Sequence, residues 1–279
     1  MEYITLNNGV KMPQLGFGVY QIPPEDTERC VRTAIDAGYR SIDTAQAYYN
    51  EAEVGKAIAN CGVPREELFI TTKVWITNAG EKRAAASIDE SLAKLGGEYI
   101  DLLLIHQPFG DYYSSWRAME TAYKAGKVRA IGLANFMPDR FIDLTHFAEI
   151  KPAVNQLETH VFQQQQAIAP YHAQYDTKLM SWGPFAEGRN DYFNTPALVE
   201  IGQAHGKSAA QVALRYLLEQ GVILIPKSVH DARIRENFDI FDFSLTPEET
   251  ARISALDTGK SLFFSHHDPE TVQWFMSLA

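Results

Sequence analysis

Eight short apolar runs alternate with longer amphipathic segments along the chain of 279 residues. This alternation restricts the fold more than any other feature of the sequence, because strands joined by helices lie parallel and cannot pair as simple hairpins. Eight such units predict an α/β fold whose strands close into a (β/α)₈ barrel, also called a TIM barrel. The predicted strands are Leu15–Gly18, Ser41–Asp43, Leu68–Val74, Ile100–Ile105, Val128–Leu133, Ala153–Gln156, Leu179–Ser181 and Val222–Pro226.

Three further segments lie outside this alternation. Tyr3–Leu6 and Val10–Met12, separated by an Asn-Asn-Gly turn, predict an N-terminal β-hairpin. Ser208–Glu219 and Thr246–Leu256 predict two extra helices, and the second begins with an N-cap Thr, a Pro and two acidic residues. No Pro- or Ser-rich linker divides the chain, so we expect residues 1–279 to form a single domain.

An open, doubly wound sheet is the alternative arrangement of alternating strands and helices. Such a fold would carry a Gly-x-Gly-x-x-Gly turn after an early strand to bind a dinucleotide. The nearest match begins with Gly16 and Gly18, but Gln21 occupies the position of the third glycine. The sequence therefore favours the closed barrel.

The charge balance and the cysteine content restrict the partners and the compartment. The chain carries 25 Lys and Arg against 35 Asp and Glu, for a formal net charge of −10, which disfavours binding to nucleic acid. No apolar stretch approaches the roughly 20 residues that span a bilayer, and the N-terminus lacks the pattern of a secretory signal. With only Cys30 and Cys61, we expect a cytoplasmic protein without a disulfide framework. Because no exposed apolar element stands out, we expect a monomer.

Polar residues stand at the ends of several predicted strands, where a (β/α)₈ enzyme carries its active site. Asp43 ends the second strand and Tyr48 follows it by five residues, while Lys73 and His106 stand at the ends of the third and fourth strands. We therefore expect all four side chains at one rim of the barrel.

The chemistry of these four residues is complementary. An unperturbed tyrosine has a pKa of about 10, and the ammonium of Lys73 is expected to lower the pKa of Tyr48. Asp43 would supply the counter-ion that a buried lysine needs, and His106 would hydrogen-bond a substrate carbonyl. The set suits donation of a proton to a carbonyl oxygen while the carbon receives a hydride.

Other roles remain open for each residue taken singly. Asp43 could cap the next helix, Tyr48 could pack at the rim, and Lys73 and His106 could pair with nearby carboxylates. Lys73 could also form a Schiff base in an aldolase-like barrel. The four residues together favour a carbonyl reductase over these alternatives.

Four segments make the sequence resemble the aldo-keto reductases over essentially the whole chain. They are Gly38–Ala45 with Tyr48, Thr72–Trp75, Leu104–Pro108 and Ile225–Ser228. Their order and spacing together are far more specific than any one of them alone.

The resemblance implies that the protein reduces aldehydes or ketones with NADPH and needs no metal. It implies a catalytic tetrad of Asp43, Tyr48, Lys73 and His106, in which Tyr48 is the general acid. NADPH would bind in an extended conformation without a Rossmann domain, in agreement with the missing glycine fingerprint. A sensor of the same fold that binds the cofactor but turns over little is the main alternative.

The resemblance also implies two groups of cofactor-binding residues. Asn135 and Gln156 would hold the nicotinamide carboxamide, and Trp182 would stack on the nicotinamide ring. The second group follows the eighth strand, where barrels often bind phosphate. Its members, expected to contact the adenosine 2′-phosphate or the adenine, are Lys227, Ser228, Arg233, Glu236 and Asn237. An Arg–phosphate contact would favour NADPH over NADH.

Some positions depart from the family pattern. Ala134 and Gly183 stand where serines are common, and each change removes an expected contact to the cofactor. Gln107 stands where a tryptophan is common. This glutamine and the short tail make the chain most similar to bacterial 2,5-diketo-D-gluconate and methylglyoxal reductases.

Aromatic and amide side chains near the rim are the expected walls of the substrate pocket. We expect the pocket to be lined by Tyr20, Trp75, Gln107, Phe109, Trp274 and Phe275. The adjacent residues His266, His267 and Asp268 have the composition of a metal site, but their place in a polar tail favours a surface loop.

Overall fold

A short hairpin covers one end of the barrel. In the computed structural model, which describes residues 1–278, β1 (Tyr3–Thr5) pairs antiparallel with β2 (Lys11–Pro13). Leu6 and Met12 are buried against side chains from the barrel interior, and Asn8 Nδ2 donates a hydrogen bond to the carbonyl oxygen of Arg129 at 2.9 Å. The predicted hairpin is present, and it closes the barrel at the amino ends of the strands.

Eight parallel strands form the barrel. In order around the sheet they are β3 (Phe17–Gly18), β4 (Ser41–Asp43), β5 (Phe69–Val74), β6 (Ile100–Ile105), β7 (Val128–Ala134), β8 (Val154–Glu158), β9 (Lys178–Trp182) and β10 (Ile223–Leu224). Each strand overlaps one of the eight apolar runs of the sequence. The predicted α/β barrel is therefore confirmed.

The barrel closes between the two edge strands. Leu15, just before β3, forms a parallel bridge with Leu224 in β10, and Leu224 N–H donates a hydrogen bond to the carbonyl oxygen of Gln14 at 2.8 Å. A Cβ atom at Gly18 would lie 2.8 Å from the carbonyl oxygen of Ile225, so only glycine allows this close approach. β3 and β10 are shorter than their apolar runs because a few isolated contacts, rather than a continuous ladder, make this seam.

In the described part of the chain, eight helices lie between the strands and three follow the last strand. In residues 1–278 they are α1 (Pro24–Ala37), α2 (Glu51–Asn60), α3 (Glu81–Leu95), α4 (Tyr112–Lys124), α5 (Pro138–Phe147), α6 (Ala169–Gln174), α7 (Pro196–His205), α8 (Ala209–Glu219), α9 (Asp231–Phe238), α10 (Pro247–Ser254) and α11 (Pro269–Ser277). Apolar side chains of the first ten helices pack against the outside of the sheet, and a second buried cluster fills its inside. α11 instead buries Phe275 against Ile76 and Phe109. None of these helices is long and apolar enough to cross a bilayer.

The two extra helices predicted from the sequence are present as α8 and α10. Each begins with a capping box, formed by Ser208 with Gln211 and by Thr246 with Glu249. The tail contains a further helix, α11, which the sequence analysis does not assign. Asp268 caps it, with a side chain that accepts a hydrogen bond from the first turn.

A histidine in α6 is buried in the layer between helices and sheet. His172 is 4% exposed, its Nε2 lies 3.1 Å from Asn155 Nδ2, and its ring packs against Phe141. Burial lowers the pKa of His172 to about 4. The folded protein therefore excludes a proton that the unfolded chain binds below a pH of about 6.5.

This difference makes the stability depend on pH. Between about pH 6.5 and pH 4 the unfolded state binds more protons, so the free energy of unfolding falls as the pH falls through this window. The free energy of unfolding should therefore fall between pH 7 and pH 4.5, and we expect His172→Gln to make this fall smaller by about 2 kcal/mol. Urea denaturation at both pH values measures the free energy of unfolding. His146→Gln, at an exposed histidine of α5, is the control. An unchanged pH dependence in His172→Gln would contradict this assignment.

Candidate active site

The structure brings the four predicted catalytic side chains to one rim of the barrel. Asp43 is the last residue of β4, and Lys73 is the last but one of β5. His106 follows β6, and Tyr48 ends a short 3₁₀ turn after β4. Because β4 pairs in parallel with β5, and β5 with β6, these residues lie at the carboxyl ends of neighbouring strands.

Lys73 is the centre of this group. Its ammonium is fully buried, lies 2.5 Å from Asp43 Oδ1, and donates hydrogen bonds to the carbonyl oxygen of Thr44 at 2.9 Å and to the Tyr48 hydroxyl at 3.3 Å. Gln156 Nε2 donates a hydrogen bond to the other Asp43 oxygen at 3.1 Å. All three hydrogens of the ammonium are therefore used, and both carboxylate oxygens accept a bond.

Burial and charge pairing act against each other in this ion pair. Burial raises the pKa of Asp43 and lowers the pKa of Lys73, while each partner favours the charged form of the other. Short, charge-assisted hydrogen bonds are what keep such a buried pair charged.

The pKa of Tyr48 shifts in the direction opposite to the one expected from the sequence. The sequence predicts that Lys73 lowers the pKa of Tyr48, but burial raises that pKa well above its ordinary value, and the negative charge of Asp43 adds to the rise. Burial outweighs the expected effect of the lysine, whose charge is paired with that of Asp43 at 2.5 Å. Tyr48 therefore holds its proton throughout the neutral pH range and is available as an acid.

His106 completes the group as a neutral imidazole. Burial lowers its pKa well below the ordinary value, and the nearby charge of Lys73 lowers it further. Its ring lies edge-on to the rings of Tyr48 and Trp75, at centroid distances of 5.6 and 5.0 Å. Its Nδ1 is enclosed and has no hydrogen-bond partner among residues 1–278. A neutral imidazole can donate one hydrogen bond to a carbonyl oxygen without carrying a charge.

The three residues expected to hold the nicotinamide lie next to the tetrad. Trp182 Nε1 donates a hydrogen bond to Asn135 Oδ1 at 2.8 Å, and Asn135 Nδ2 donates one to the carbonyl oxygen of His106 at 3.0 Å. Asn135 adopts a left-handed backbone with φ of 67°, which asparagine tolerates better than most residues. Gln156 bonds to Asp43 through its side chain, and its carbonyl oxygen accepts a hydrogen bond from the backbone N–H of Asn135 at 2.9 Å.

The residues expected at the adenosine end surround the start of α9. Lys227 and Ser228 precede the helix, and Arg233, Glu236 and Asn237 share one of its faces at spacings of three and four residues. Neither Lys227 nor Arg233 forms an ion pair with another group in the described part of the chain. Asn237 is 6% exposed, and no hydrogen bond of its side-chain amide is found among residues 1–278. Two free cations and a free amide fit a phosphorylated nucleoside.

The expected walls of the substrate pocket differ in their burial. Tyr20 is half exposed beside Tyr48, with ring centroids 4.9 Å apart, and Trp75 packs beside His106. Phe109 and Gln107 are nearly buried. In the tail, Phe275 packs on Phe109 at 5.4 Å, while Trp274 is 52% exposed and its ring lies 6.4 Å from that of Phe264.

The chain matches a known enzyme family along most of its length. The model of the aldo/keto reductase family matches residues 12–258. The chain belongs to the aldo/keto reductase family. It is 44% identical to a glyoxal reductase of Bacillus subtilis over 258 residues, which is 92% of this chain and 93% of the relative. It is 41% identical to a methylglyoxal reductase of Escherichia coli over 262 residues, 93% of this chain and 94% of the relative.

Solved structures of aldo-keto reductases have the same fold. An aldo-keto reductase of Bombyx mori, determined in complex with NADP, is 33% identical and superposes with a TM-score of 0.90, covering 98% of this chain and 96% of that one. The resemblance predicted from sequence motifs, including the likeness to methylglyoxal reductases, is therefore confirmed, as is the oxidoreductase class.

The tail of this aldo-keto reductase contributes a residue that the sequence analysis placed elsewhere. His266 was expected in a surface loop, but it is 7% exposed and lies beside Gln107. The segment before it is attached to Glu158 at the end of β8, which accepts hydrogen bonds from Ser261 Oγ at 2.5 Å and from the backbone N–H of Leu262 at 2.8 Å. The Asp-Pro-Glu sequence after His267 signals the start of α11 and could have indicated that the tail is ordered.

The ion pair at the centre of the site makes a prediction about stability. Lys73→Met would leave Asp43 buried without its counter-ion, and we expect it to lower the free energy of unfolding by about 3–5 kcal/mol. Adding Asp43→Asn removes the unpaired charge, so the double variant should recover a large part of that loss while remaining inactive. Urea denaturation at pH 7 measures both. Lys56→Met, at an exposed lysine of α2, is the control and should change the stability by no more than about 0.5 kcal/mol. A double variant as unstable as Lys73→Met would contradict the assignment.

Proposed function

We propose that this aldo-keto reductase reduces aldehydes or ketones to alcohols with NADPH, and that Tyr48 donates the proton. The observation that carries the proposal is the Lys73 ammonium, which bonds to Asp43 and to the Tyr48 hydroxyl at the same time. This arrangement holds the phenol at a fixed position on the rim and provides a positive partner for the phenolate that remains after proton transfer.

The residues of the tetrad have separate roles in this reaction. The neutral His106 donates a hydrogen bond to the carbonyl oxygen and fixes the direction of the substrate. Tyr48 keeps its proton until negative charge develops on that oxygen, because burial has raised its pKa. Lys73, held by Asp43, then stabilises the phenolate. General acid catalysis of this kind contributes about 10²–10⁴-fold to the rate.

NADPH is the proposed cofactor, and when it is bound its nicotinamide supplies the hydride. Asn135, Gln156 and Trp182 would hold the nicotinamide beside the tetrad. Lys227, Ser228, Arg233, Glu236 and Asn237 would hold the adenosine end. Support comes from the free cations of an otherwise acidic protein at the start of α9 and from the NADP complex of the Bombyx mori relative.

The geometry around Lys73 argues against a Schiff-base lyase. A lysine nucleophile must be neutral with a free lone pair, whereas the Lys73 ammonium uses all three hydrogens in bonds to Asp43, Thr44 and Tyr48. The complete tetrad likewise favours an enzyme over a sensor that only binds the cofactor.

Small carbonyl compounds are the proposed substrates, in line with the glyoxal and methylglyoxal reductases among the relatives. We expect Tyr20, Trp75, Gln107, Phe109 and Trp274 to contact them. A single domain over residues 1–279, a monomer, a cytoplasmic location and the lack of nucleic-acid binding remain predictions from the sequence.

Replacing Tyr48 tests the assignment of the acid. Tyr48→Phe keeps the ring but removes the proton, so we expect the rate of carbonyl reduction to fall by about 10²–10⁴-fold while NADPH affinity stays within about twofold. NADPH consumption and fluorescence titration of NADPH measure the two quantities. Tyr49→Phe, at the 81% exposed neighbour, is the control and should keep full activity. Full activity in Tyr48→Phe would overturn the proposal.

Replacing Arg233 tests the proposed phosphate contact. Arg233→Ala should raise KM for NADPH by at least about tenfold, the size of a lost charged hydrogen bond, and leave KM for NADH nearly unchanged. Arg235→Ala removes an exposed arginine from another face of α9 and should affect neither value. Steady-state kinetics with both cofactors give the comparison. Equal effects of Arg233→Ala on NADPH and NADH would refute the contact.

A further inference from the structure

The side chain of Gln46 connects the turn that carries Tyr48 to two other elements of the structure. Gln46 is the first residue of this 3₁₀ turn (the Tyr48 turn, Gln46–Tyr48), which follows β4. Its Oε1 accepts hydrogen bonds from the backbone N–H of Trp75 and from Asn78 Nδ2, both at 2.9 Å. Trp75 and Asn78 belong to the segment after β5, so the carboxamide links the loops that follow two neighbouring strands.

The other end of the same carboxamide is bonded to α3. Gln46 Nε2 donates hydrogen bonds to the carbonyl oxygen of Ser87 and to Ser91 Oγ, both at 3.2 Å, and both serines are buried. The four bonds use every donor and acceptor of the carboxamide. Because the backbone N–H of Trp75 can only donate and the carbonyl of Ser87 can only accept, these two partners determine which way the amide points.

The Tyr48 turn depends on Gln46 for its attachment. In the described part of the chain, two groups bond this turn to the elements around it, the Gln46 carboxamide and the Tyr48 hydroxyl. The hydroxyl lies 3.3 Å from Lys73 Nζ, which is longer than most such hydrogen bonds. Tyr49 is 81% exposed and has a left-handed backbone with φ of 55°, a conformation that persists in a bulky residue only where its surroundings hold it. The four bonds of Gln46 are therefore the main polar attachment of the turn.

The two loops that Gln46 links both reach the catalytic histidine. The rings of Tyr48 and Trp75 pack edge-on against His106 from the loops after β4 and β5. A general acid must lie within hydrogen-bond reach of the atom that it protonates, and a displacement of about 1 Å can cost about 10²-fold in rate. A side chain that fixes the Tyr48 turn therefore bears on the proton transfer.

We propose that Gln46 is a positioning residue for the general acid, and that it holds the Tyr48 hydroxyl within reach of the carbonyl oxygen that His106 orients. This inference rests on the proposed reductase function and adds a residue outside the tetrad on which the proton transfer depends. Gln46 acts through Tyr48, so its loss lowers kcat. NADPH binding is unaffected, because none of the residues proposed to bind the cofactor is bonded to the Gln46 side chain.

A double-mutant cycle between Gln46 and Tyr48 tests the proposal. Gln46→Met keeps the length of the side chain but lacks the carboxamide. We expect it to lower kcat for reduction of para-nitrobenzaldehyde with NADPH by about 10–100-fold, with NADPH affinity by fluorescence titration within about twofold. In the Tyr48→Phe background the same substitution should change the residual single-turnover rate by less than about threefold, because the acid is already absent. A general loosening of the structure would lower the rate in both backgrounds.

Gln164→Met is the matched control. The Gln164 carboxamide also makes four hydrogen bonds, and its partners are the carbonyl oxygens of Val161, Ile253 and Ser254 and the Tyr216 hydroxyl. None of these groups belongs to the tetrad or to the residues proposed to bind cofactor or substrate. Urea denaturation should show a loss of stability similar to that of Gln46→Met, while kcat stays within about twofold of the unaltered protein.

A second variant, Gln46→Glu, carries the same test if Gln46→Met does not fold. It keeps acceptor oxygens for Trp75 and Asn78 and loses the donor to the Ser87 carbonyl. We therefore expect a smaller fall in kcat, which again disappears in the Tyr48→Phe background.

The outcomes separate this inference from the proposed function. If the unaltered protein does not reduce the aldehyde with NADPH, or if Tyr48→Phe keeps full activity, the proposed function fails and this inference fails with it. If the protein is active through Tyr48 but Gln46→Met has the same kcat as Gln164→Met, only this inference fails. An equal fall in both backgrounds, or a loss of NADPH affinity larger than the fall in kcat, would also overturn it, because Gln46 would then act on something other than the acid.

Discussion

Closure of the parallel sheet is the constraint on which the rest of this structure depends. Once Leu15 meets Leu224, the carboxyl ends of all eight strands form one rim. Groups far apart in the sequence, such as Asp43 and His106, then come together without any loop that must be shaped for the purpose. The hairpin covers the end of the barrel at the amino ends of the strands, and the polar side chains of the site lie at the opposite, uncovered rim.

The buried ion pair of Lys73 and Asp43 determines how the side chains at this rim interact. Two charges in the interior would be unfavourable if either were left alone, and here Thr44, Tyr48 and Gln156 supply the remaining hydrogen bonds. The same pairing weakens the effect of the lysine on the tyrosine pKa in the resting protein. In the proposed reaction, the positive charge of Lys73 therefore matters chiefly after Tyr48 has given up its proton.

Much of the fold, and the positions of the tetrad residues, could be predicted from the sequence. Apolar runs and helix caps are local signals, and the polar ends of strands such as Asp43 and Lys73 follow from parallel topology. The pKa of Tyr48 could not be predicted, because it depends on how burial competes with a charge that is already paired. The burial of His266 was missed for a similar reason: nothing local marks a tail that packs on distant residues such as Gln107 and Phe109.

The attachment of the tail at two strand ends has an evolutionary consequence. Glu158 on β8 and Gln107 after β6 anchor a segment that lies outside the strands bearing Asp43 and Lys73. Substitutions in that segment that keep these two anchors remove no hydrogen bond of the buried ion pair. In the proposed reductase, residues of the tail can therefore change in evolution while the reacting groups on the barrel stay the same.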